Sequence, residues 1–502
     1  MSAGKVAIIG AGLSGLAAGC YARMNDFQTI IFEQQGWPGG LAKSWERDGF
    51  QLDPGPDLIW AVGPGTSTHD ALRELGVLPR RNIKSVERWE ITDQEGRRKV
   101  NLISPLDELE AELKRISPED AQLIDDVIDV ASSIDPVLLL DSFESKAPDL
   151  AGLTDSLVGQ WKARRYQRYL RGQWSLTMSE WAARIKDPFL RGILSSLSPS
   201  ESPVWLGLTF LSLATKGHLQ RIDQGADGLV QDLVERYQDL GGEIRLKSFV
   251  SGIILDGDQV RGLAIGDEKE QASSIITAID GYEVIYGMLE GRFVDEEIDR
   301  RYRQWKPSCP RVSVSIGAAG TLDGLMGVHT ILLDRPLIVG TTPNHRLVVR
   351  SFDHEGGYAP AGKTLLSIAL DSDWQFWYKL RALDAQMYAD EKARIGDEVL
   401  HKLQGVHPSI SEEVEMVEVS TPYTAWKLSR TREGAPCGWS MTPEALSSFP
   451  IRALPGLTGL YMAGPWAVPS IGIAGCLFSG KHAVQMLCHD RGRSFKTIAP
   501  VV

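Results

Sequence analysis

The chain is short of several things, and each shortage closes off a class of function. Five cysteines in 502 residues (Cys20, Cys309, Cys437, Cys476 and Cys488) include no C-x-x-C pair, and the odd number suits a reducing compartment. No His, Cys or carboxylate spacing resembles a metal site, so none is expected. Lys and Arg number 53 against 65 acids, a net charge of −12, which leaves nonspecific nucleic-acid binding without an electrostatic footing. A long apolar run is missing as well. Val204–Thr215 falls far below the roughly twenty residues of a membrane span, and reads as a core or substrate-facing helix. There are no internal repeats and no low-complexity tract. One segment imitates an export signal, Lys5 and the apolar residues up to Leu16-Ala-Ala-Gly-Cys20, but cleavage there would destroy the glycine pattern described next. The expected location is the cytoplasm.

What is present is ordinary globular composition, 43% hydrophobic and 24% charged, in a chain long enough for two domains. The strongest pattern runs from Lys5 to Glu33. An apolar strand leads into Gly10-Ala11-Gly12-Leu13-Ser14-Gly15, a small-residue helix follows, and a second apolar strand, Thr29-Ile-Ile-Phe, ends at Glu33 and Gln34. Gly10 permits the tight turn, Gly12 lets a pyrophosphate reach the backbone, and Gly15 lets the helix approach the sheet. The helix start offers free N–H groups and a positive dipole end to phosphates. Glu33 stands about twenty residues past the turn, where a carboxylate accepts from both ribose hydroxyls, and it disfavours a 2′-phosphate. Strand, turn, helix, strand and acid in order predict an adenine dinucleotide site.

Beyond it lies a glycine-rich loop, Gly36 to Ser44, then a short strand and turn, Gly49 to Pro56. Ser67 to Thr215 reads as mostly helical and charged, with start signals at Ser104-Pro and Ser117-Pro. Arg221 to Gly228 breaks that run. An amphipathic helix through Leu229, Leu233, Tyr237 and Leu240 follows, then strands over 243–246, 250–255, 260–265 and 274–279, with Asp256-Gly257 as a hairpin turn. Residues 290–445 form a second mixed region with strands near 312–316, 337–340, 346–351 and 365–369 and a long helix over 384–403. The chain ends in a strand, 459–464, and a helix over 474–488. The fold class is therefore α/β: a Rossmann-like dinucleotide domain split over 1–70, 221–285 and 455–502, with an inserted mixed α+β substrate domain, including a helical cap, from 71–220 and 286–454.

These motifs resemble those of the phytoene-desaturase-like flavoproteins, which include carotenoid desaturases, carotenoid isomerases and retinol saturase and are related more distantly to amine oxidases. The resemblance covers most of the length. It rests on the fingerprint with Glu33, Gly39-Gly40-Leu41-Ala42-Lys43-Ser44-Trp45, Phe50 to Pro56, Gly225 to Gly242 with the Val250 strand, Thr421 to Trp439, and Gly459 to Leu487. It implies that the dinucleotide is FAD. Gly39, Gly40, Leu41, Ala42 and Ser44 would follow the phosphate and ribityl chain, with Lys43 neutralising a phosphate. Pro56, Asp57 and Leu58 would approach the isoalloxazine ring, Val250 the adenine edge, and Gly464, Pro465 and Trp466 the ribityl phosphate. The helix start at Gly472, Ile473 and Ala474 would face the flavin N1/C2 carbonyl, where its dipole stabilises reduced flavin. Two departures stand out: Leu41 occupies a position often held by arginine, and Pro465 one often held by an acid.

The implied activity is an FAD-dependent oxidoreductase working on carbon–carbon bonds of a lipophilic isoprenoid or polyene by desaturation, saturation or isomerisation, with oxygen or a quinone-like acceptor. The rival readings are an amine or amino-acid oxidase and a catalytically silent flavin scaffold. A greasy substrate is compatible with peripheral membrane contact, though no segment demands it; the basic run 162–171 reads first as a solvated helix face. No catalytic residue stands out. Asp57 and Lys427 are weak candidates, the first read more readily as a turn carboxylate. His329 sits in an apolar run and reads as a core histidine, and His354-Glu355 reads as a surface loop pair. Trp426, Trp439 and Trp466 are either pocket walls or core, and Trp374 to Tyr378 reads as a helix packing face rather than a membrane anchor.

Overall fold

The structure is a computed structural model that describes residues 4–52, 58–137, 146–150, 152, 168–322, 325, 327–352, 356–448, 450–468 and 472–500. Asp57, Pro56, the His354-Glu355 pair and most of the basic run 162–171 lie outside the described residues.

Five strands form a parallel sheet in the order Glu243–Arg245, Gln28–Phe32, Lys5–Ile9, Ser274–Thr277, Leu460–Met462. Lys5–Ile9 is central, with Ala7 and Ile8 fully buried. A strand covered on both faces needs a continuous apolar run, which explains why Val-Ala-Ile-Ile shows no alternation. The strands come from three separated stretches of sequence. The first helix, Leu13–Met24, and the last, Gly472–Asp490, pack side by side. A Cβ at Gly480 would press on the Ser14 carbonyl oxygen, so a glycine permits this approach. The predicted amphipathic helix begins earlier than its leucines suggest, at Gly225, and runs to Asp239.

A second, seven-stranded sheet has the order Val414–Ser420, Arg311–Ala319, Lys363–Asp371, Thr342–Phe352, Val328–Val339, Trp89–Thr92, Lys99–Asn101. Arg311–Ala319 pairs antiparallel with Lys363–Asp371 across nine residues, from Arg311 opposite Asp371 to Ala319 opposite Lys363. Its alternate residues Val312, Val314, Ile316 and Ala318 are wholly buried, sharing a cluster with Ile368, Leu370 and Trp377 and with Ile395, Val399 and Leu403 of the long helix Ala385–Leu403. That helix starts where Asp384 accepts from the Gln386 and Met387 amides at 2.6 and 2.9 Å.

The reading of 67–215 as mostly helical holds among the described residues but misses three short strands. Ile83–Ser85, Trp89–Thr92 and Lys99–Asn101 are strands. Ile83–Ser85 pairs with Leu219–Ile222, and Trp89–Thr92 lies parallel to Val328–Val339. Both partners are more than 130 residues away. Segments of three or four residues with charges among them carry no local strand signal; long-range pairing makes strands of the first two, and Lys99–Asn101 joins as the hairpin partner of Trp89–Thr92. The strand Glu268–Gln271, a local hairpin partner of Gln259–Ile265, was hidden because three of its four residues are charged.

Two small elements connect the sheets. The hairpin of Trp45–Arg47 and Phe50–Leu52 lays the Phe50 ring over Gly317 of the larger sheet, where any side chain would collide with it. The three-stranded sheet of Leu58–Trp60, Leu219–Ile222 and Ile83–Ser85 lies between the two regions. Ile59 and Ile222 belong to the dinucleotide-side core, whereas Leu58, Trp60 and Leu219 pack with Ala214, Val328 and Val348.

Candidate functional site

The turn after Lys5–Ile9 shows three glycines under three different constraints. Gly10 has φ of +97°, and a Cβ on it would lie 3.0 Å from the Ala278 carbonyl oxygen. A Cβ at Gly15 would overlap the Gly10 carbonyl oxygen. At Gly12 it would meet nothing within 4 Å, although Ala11 on one side and Leu13 and Ser14 on the other are buried. Gly10 and Gly15 are thus explained by protein contacts, and Gly12 is not. Open space at the head of a helix without a side-chain cap is the geometry that receives an anion against backbone N–H groups.

The loop Gly39-Gly40 closes over this turn. The Gly39 amide donates to the Ala11 carbonyl at 2.8 Å. Both glycines have positive φ, +122° and +57°, and a Cβ on Gly40 would sit 3.6 Å from the Gly12 Cα. Leu41 is half-buried and Ala42 buried in the single turn Gly40–Ala42. Ser44 is buried and accepts from the Gln51 side-chain amide at 2.6 Å. Lys43, expected to neutralise a phosphate, is already paired: its Nζ lies 2.9 Å from Asp227 on the helix Gly225–Asp239. That acid gave no sequence signal, because the pairing spans 184 residues.

Glu33 is buried, and both carboxylate oxygens are engaged. Oε2 accepts from the Ala11 amide at 2.9 Å and Oε1 from the Gln35 amide at 2.8 Å. Burial raises its pKa, and the two amides oppose the rise. A carboxylate offers about four acceptor positions, more than these amides fill, which leaves room for a hydroxyl donor. Gln34 is half-buried beside it, and the chain then returns through Lys247 and Ser248, whose amides donate to the Gln35 and Glu33 carbonyls at 2.9 and 2.8 Å. Val250 is buried immediately before the strand Gly252–Asp256.

The carboxy-terminal motif comes to the same place. Gly464 has φ of +105°; its amide donates to Ser479 Oγ at 2.8 Å, and a Cβ on it would face Ser14 Oγ at 4.0 Å. Ser479 was not foreseen, since a helical serine has no distinguishing local pattern. Pro465 is half-buried beneath Gly438, where a side chain would collide with the Pro465 carbonyl. Gly472 starts the last helix; Ile473 joins the central cluster, and Ala474 packs with Ala71 and Phe478. Leu58, half-buried, opens the strand that runs against this helix.

The remaining candidates separate clearly. His329 is buried with Nε2 3.0 Å from Thr92 Oγ1, a core histidine. Lys427 is exposed on the helix Pro422–Ser429. An amine held in water has no apolar surroundings to activate it, which removes the ground for a catalytic Lys427. Trp439 and Trp466 are buried and pack edge to face, centroids 5.0 Å apart, with Trp439 Nε1 donating to the Trp466 carbonyl. Both are core. Trp426 is half-buried under the Arg430 guanidinium at 4.2 Å. Trp377, fully buried, donates to Ser372 Oγ at 2.8 Å and makes Trp374–Leu383 a packing helix.

One acid was missed. Asp280, just past Ser274–Thr277, accepts from the Tyr282 and Arg432 amides and ties the parallel sheet to the Thr421–Trp439 motif. Burial pushes its pKa up to about 6, against the pull of those amides and the Arg432 charge.

Comparison with known proteins defines the class. Residues 8–75 match the family described as NAD(P)-binding Rossmann-like domain. A cyclohexylamine oxidase from Brevibacterium oxydans shares the fold with a TM-score of 0.64 at 16% identity, covering 98% of this chain and all of that one. An oxidoreductase from Methanosarcina mazei does so at 0.61 and 18%, covering 96% of this chain and all of that one. The chain therefore shares the fold of these two proteins, with a Rossmann-like dinucleotide-binding domain at its start.

Sequence likeness narrows this. The chain is 22% identical to the chloroplastic prolycopene isomerase of Arabidopsis thaliana, over 98% of this chain and 83% of that protein. It is 26% identical to the lycopene-forming phytoene desaturase of Pantoea ananas over 52% of each. The resemblance drawn from the motifs is borne out as a likeness: the chain is an oxidoreductase similar to carotenoid isomerases and desaturases, with a Rossmann-like dinucleotide-binding domain at its start. Among the described residues, no helix is long and apolar enough to cross a membrane.

Proposed function

We propose that this protein is an FAD-dependent oxidoreductase acting on carbon–carbon bonds of a lipophilic polyene, by desaturation, saturation or isomerisation. The observation that carries the cofactor reading is the open space at Gly12, in a turn otherwise packed by protein. A diphosphate placed there would meet the helix start, Gly39-Gly40 and the Gly464 turn, while the free acceptor positions of Glu33 would take the ribose hydroxyls. Lys43 would contribute by reorienting from Asp227 or by holding the loop through that pair. Val250 would border the adenine, and Ile473 and Ala474 would present their amides to the flavin carbonyl. When bound, FAD supplies the hydride-accepting chemistry.

The chain itself would hold the molecule and exclude water. Between the dinucleotide-side core and the larger sheet lie apolar clusters that include Leu58, Trp60, Phe210 and Leu219, with the fully uncharged helix Val204–Thr215 beside them, which suits a substrate that offers no hydrogen bonds. The seven-stranded sheet and the helices of 104–215 are read as the substrate-binding part. Whole-length likeness runs to carotenoid enzymes, and the amine oxidases share the fold alone, so the amine reading is second.

Purified protein should be yellow, release FAD identifiable by mass on denaturation, and convert phytoene or prolycopene in detergent or lipid dispersion. A colourless protein that takes up no added FAD overturns the cofactor reading. A flavin-loaded protein that leaves both polyenes unchanged but releases peroxide with amines overturns the substrate reading.

A further inference from the structure

We propose that Trp60 and Phe210 form the aromatic wall that fixes which carbon–carbon bond of an extended polyene is presented for reaction, an inference that rests on the polyene reading above. Their rings are stacked, centroids 5.0 Å apart and planes inclined by 24°. The pair lies where the two regions meet. In Leu58–Trp60 the strand alternation turns Ile59 into the dinucleotide-side core and sends Leu58 and Trp60 to the opposite face. The same strand runs against the last helix, whose first turn holds Ile473 and Ala474. Trp60 is therefore tied by backbone to the candidate cofactor site while its ring points away toward the other half. Ligand sites favour such junctions.

Phe210 approaches from the other side. Its helix, Val204–Thr215, carries no charged residue, and nine of its twelve residues are buried. A helix apolar all round is expected to be enclosed, yet Phe210 stays half-open, as does Trp60. Within the apolar cluster they share, their neighbours are Ala61, Val137 and Leu213. A stacked aromatic pair in apolar surroundings offers a flat, polarisable face that asks for no hydrogen bond. A conjugated chain matches it by dispersion, and the ring faces favour positive charge developing along the chain. A polar amine would leave its N–H groups unpaired there. Because the rings hold the chain rather than react with it, they are specificity-determining residues.

The test compares wild type, W60A, F210A, the double variant and W60F, each loaded with FAD, on phytoene and prolycopene with chromatographic separation of products. The inference expects unchanged flavin content and spectrum in every variant. Each alanine variant should raise KM about tenfold, equivalent to ~1.4 kcal/mol, and shift the product distribution. The double variant should do little more than either single one, because the rings act as one surface, and W60F should stay near wild type. If an alanine variant does not fold, F210L keeps the bulk, removes the ring and should show the same shift. Wild-type-like KM and products in W60A and F210A overturn the inference and leave the polyene reading standing. Wild type that neither binds nor converts a polyene overturns both.

Discussion

The turn Gly10–Gly15 and the sheet around Arg311–Ala319 are both buried and well packed, but they are held in opposite ways. In the turn three residues answer to one named group each, Gly10 to the Ala278 carbonyl, Gly15 to the Gly10 carbonyl and Ala11 to the Glu33 carboxylate, and Gly12 is left open. In the sheet, Val312, Val314 and Ile316 answer only to a side of the sheet and a volume. A region that binds through its backbone constrains residue identity, whereas one that packs constrains pattern. Identity leaves a readable motif and pattern does not, so the dinucleotide half could be read for its role, whereas four strands and the long helix of the larger region could be read only as elements.

Substitutions can break this contrast. The largest effect is expected at Trp377, whose replacement by alanine empties a fully buried ring site and removes the bond to Ser372, costing about 3–5 kcal/mol. Thermal denaturation should register it, with flavin content per folded molecule unchanged. In the turn, Gly15→Ala should cost about 3 kcal/mol through backbone overlap. Gly12→Ala, three residues earlier, should leave the melting temperature of flavin-free protein in place and weaken flavin binding about tenfold or more, the equivalent of ~1.4 kcal/mol. Equal melting losses for the two glycine variants would show that Gly12 also serves packing and would dissolve the argument for a ligand there.

Asp280 sharpens the comparison through pH. Its folded pKa of about 6 stands above the ordinary 3.8, so between those values the folded state holds the proton more tightly than the unfolded chain. Stability should fall as pH rises from about 4 to about 6, on the order of 2 kcal/mol for this group. Asp280→Asn should flatten that portion of the stability–pH curve, and a slope unchanged in the variant would assign the dependence elsewhere. The smallest effect belongs to Lys427→Ala, within about 0.5 kcal/mol in stability and with turnover unaltered, since the side chain is exposed. A large loss of turnover would restore Lys427 to the chemistry.

Much of the site was legible because its signals are local. Three glycines at fixed spacing, an acid two strands later and a glycine pair in the next loop lie within the first 44 residues. Asp227, Ser479 and Asp280 were not legible, because each acts on a residue far along the chain: Lys43, Gly464 and Arg432. Trp439 and Trp466 could be read as pocket or core from sequence; the edge-to-face contact between them decided for core.

By itself, then, the amino-acid order determined the dinucleotide turn, the parallel character of the sheet beside it and the proteins the chain resembles, because backbone conformation and apolar periodicity act over a few residues. Tertiary structure alone decided that Ile83–Ser85 and Trp89–Thr92 are strands, that the Lys43 charge is met by Asp227, and that Trp60 stacks on Phe210. Those outcomes depend on partners that only chain folding brings within a few ångströms, and no local preference encodes a distance of that kind.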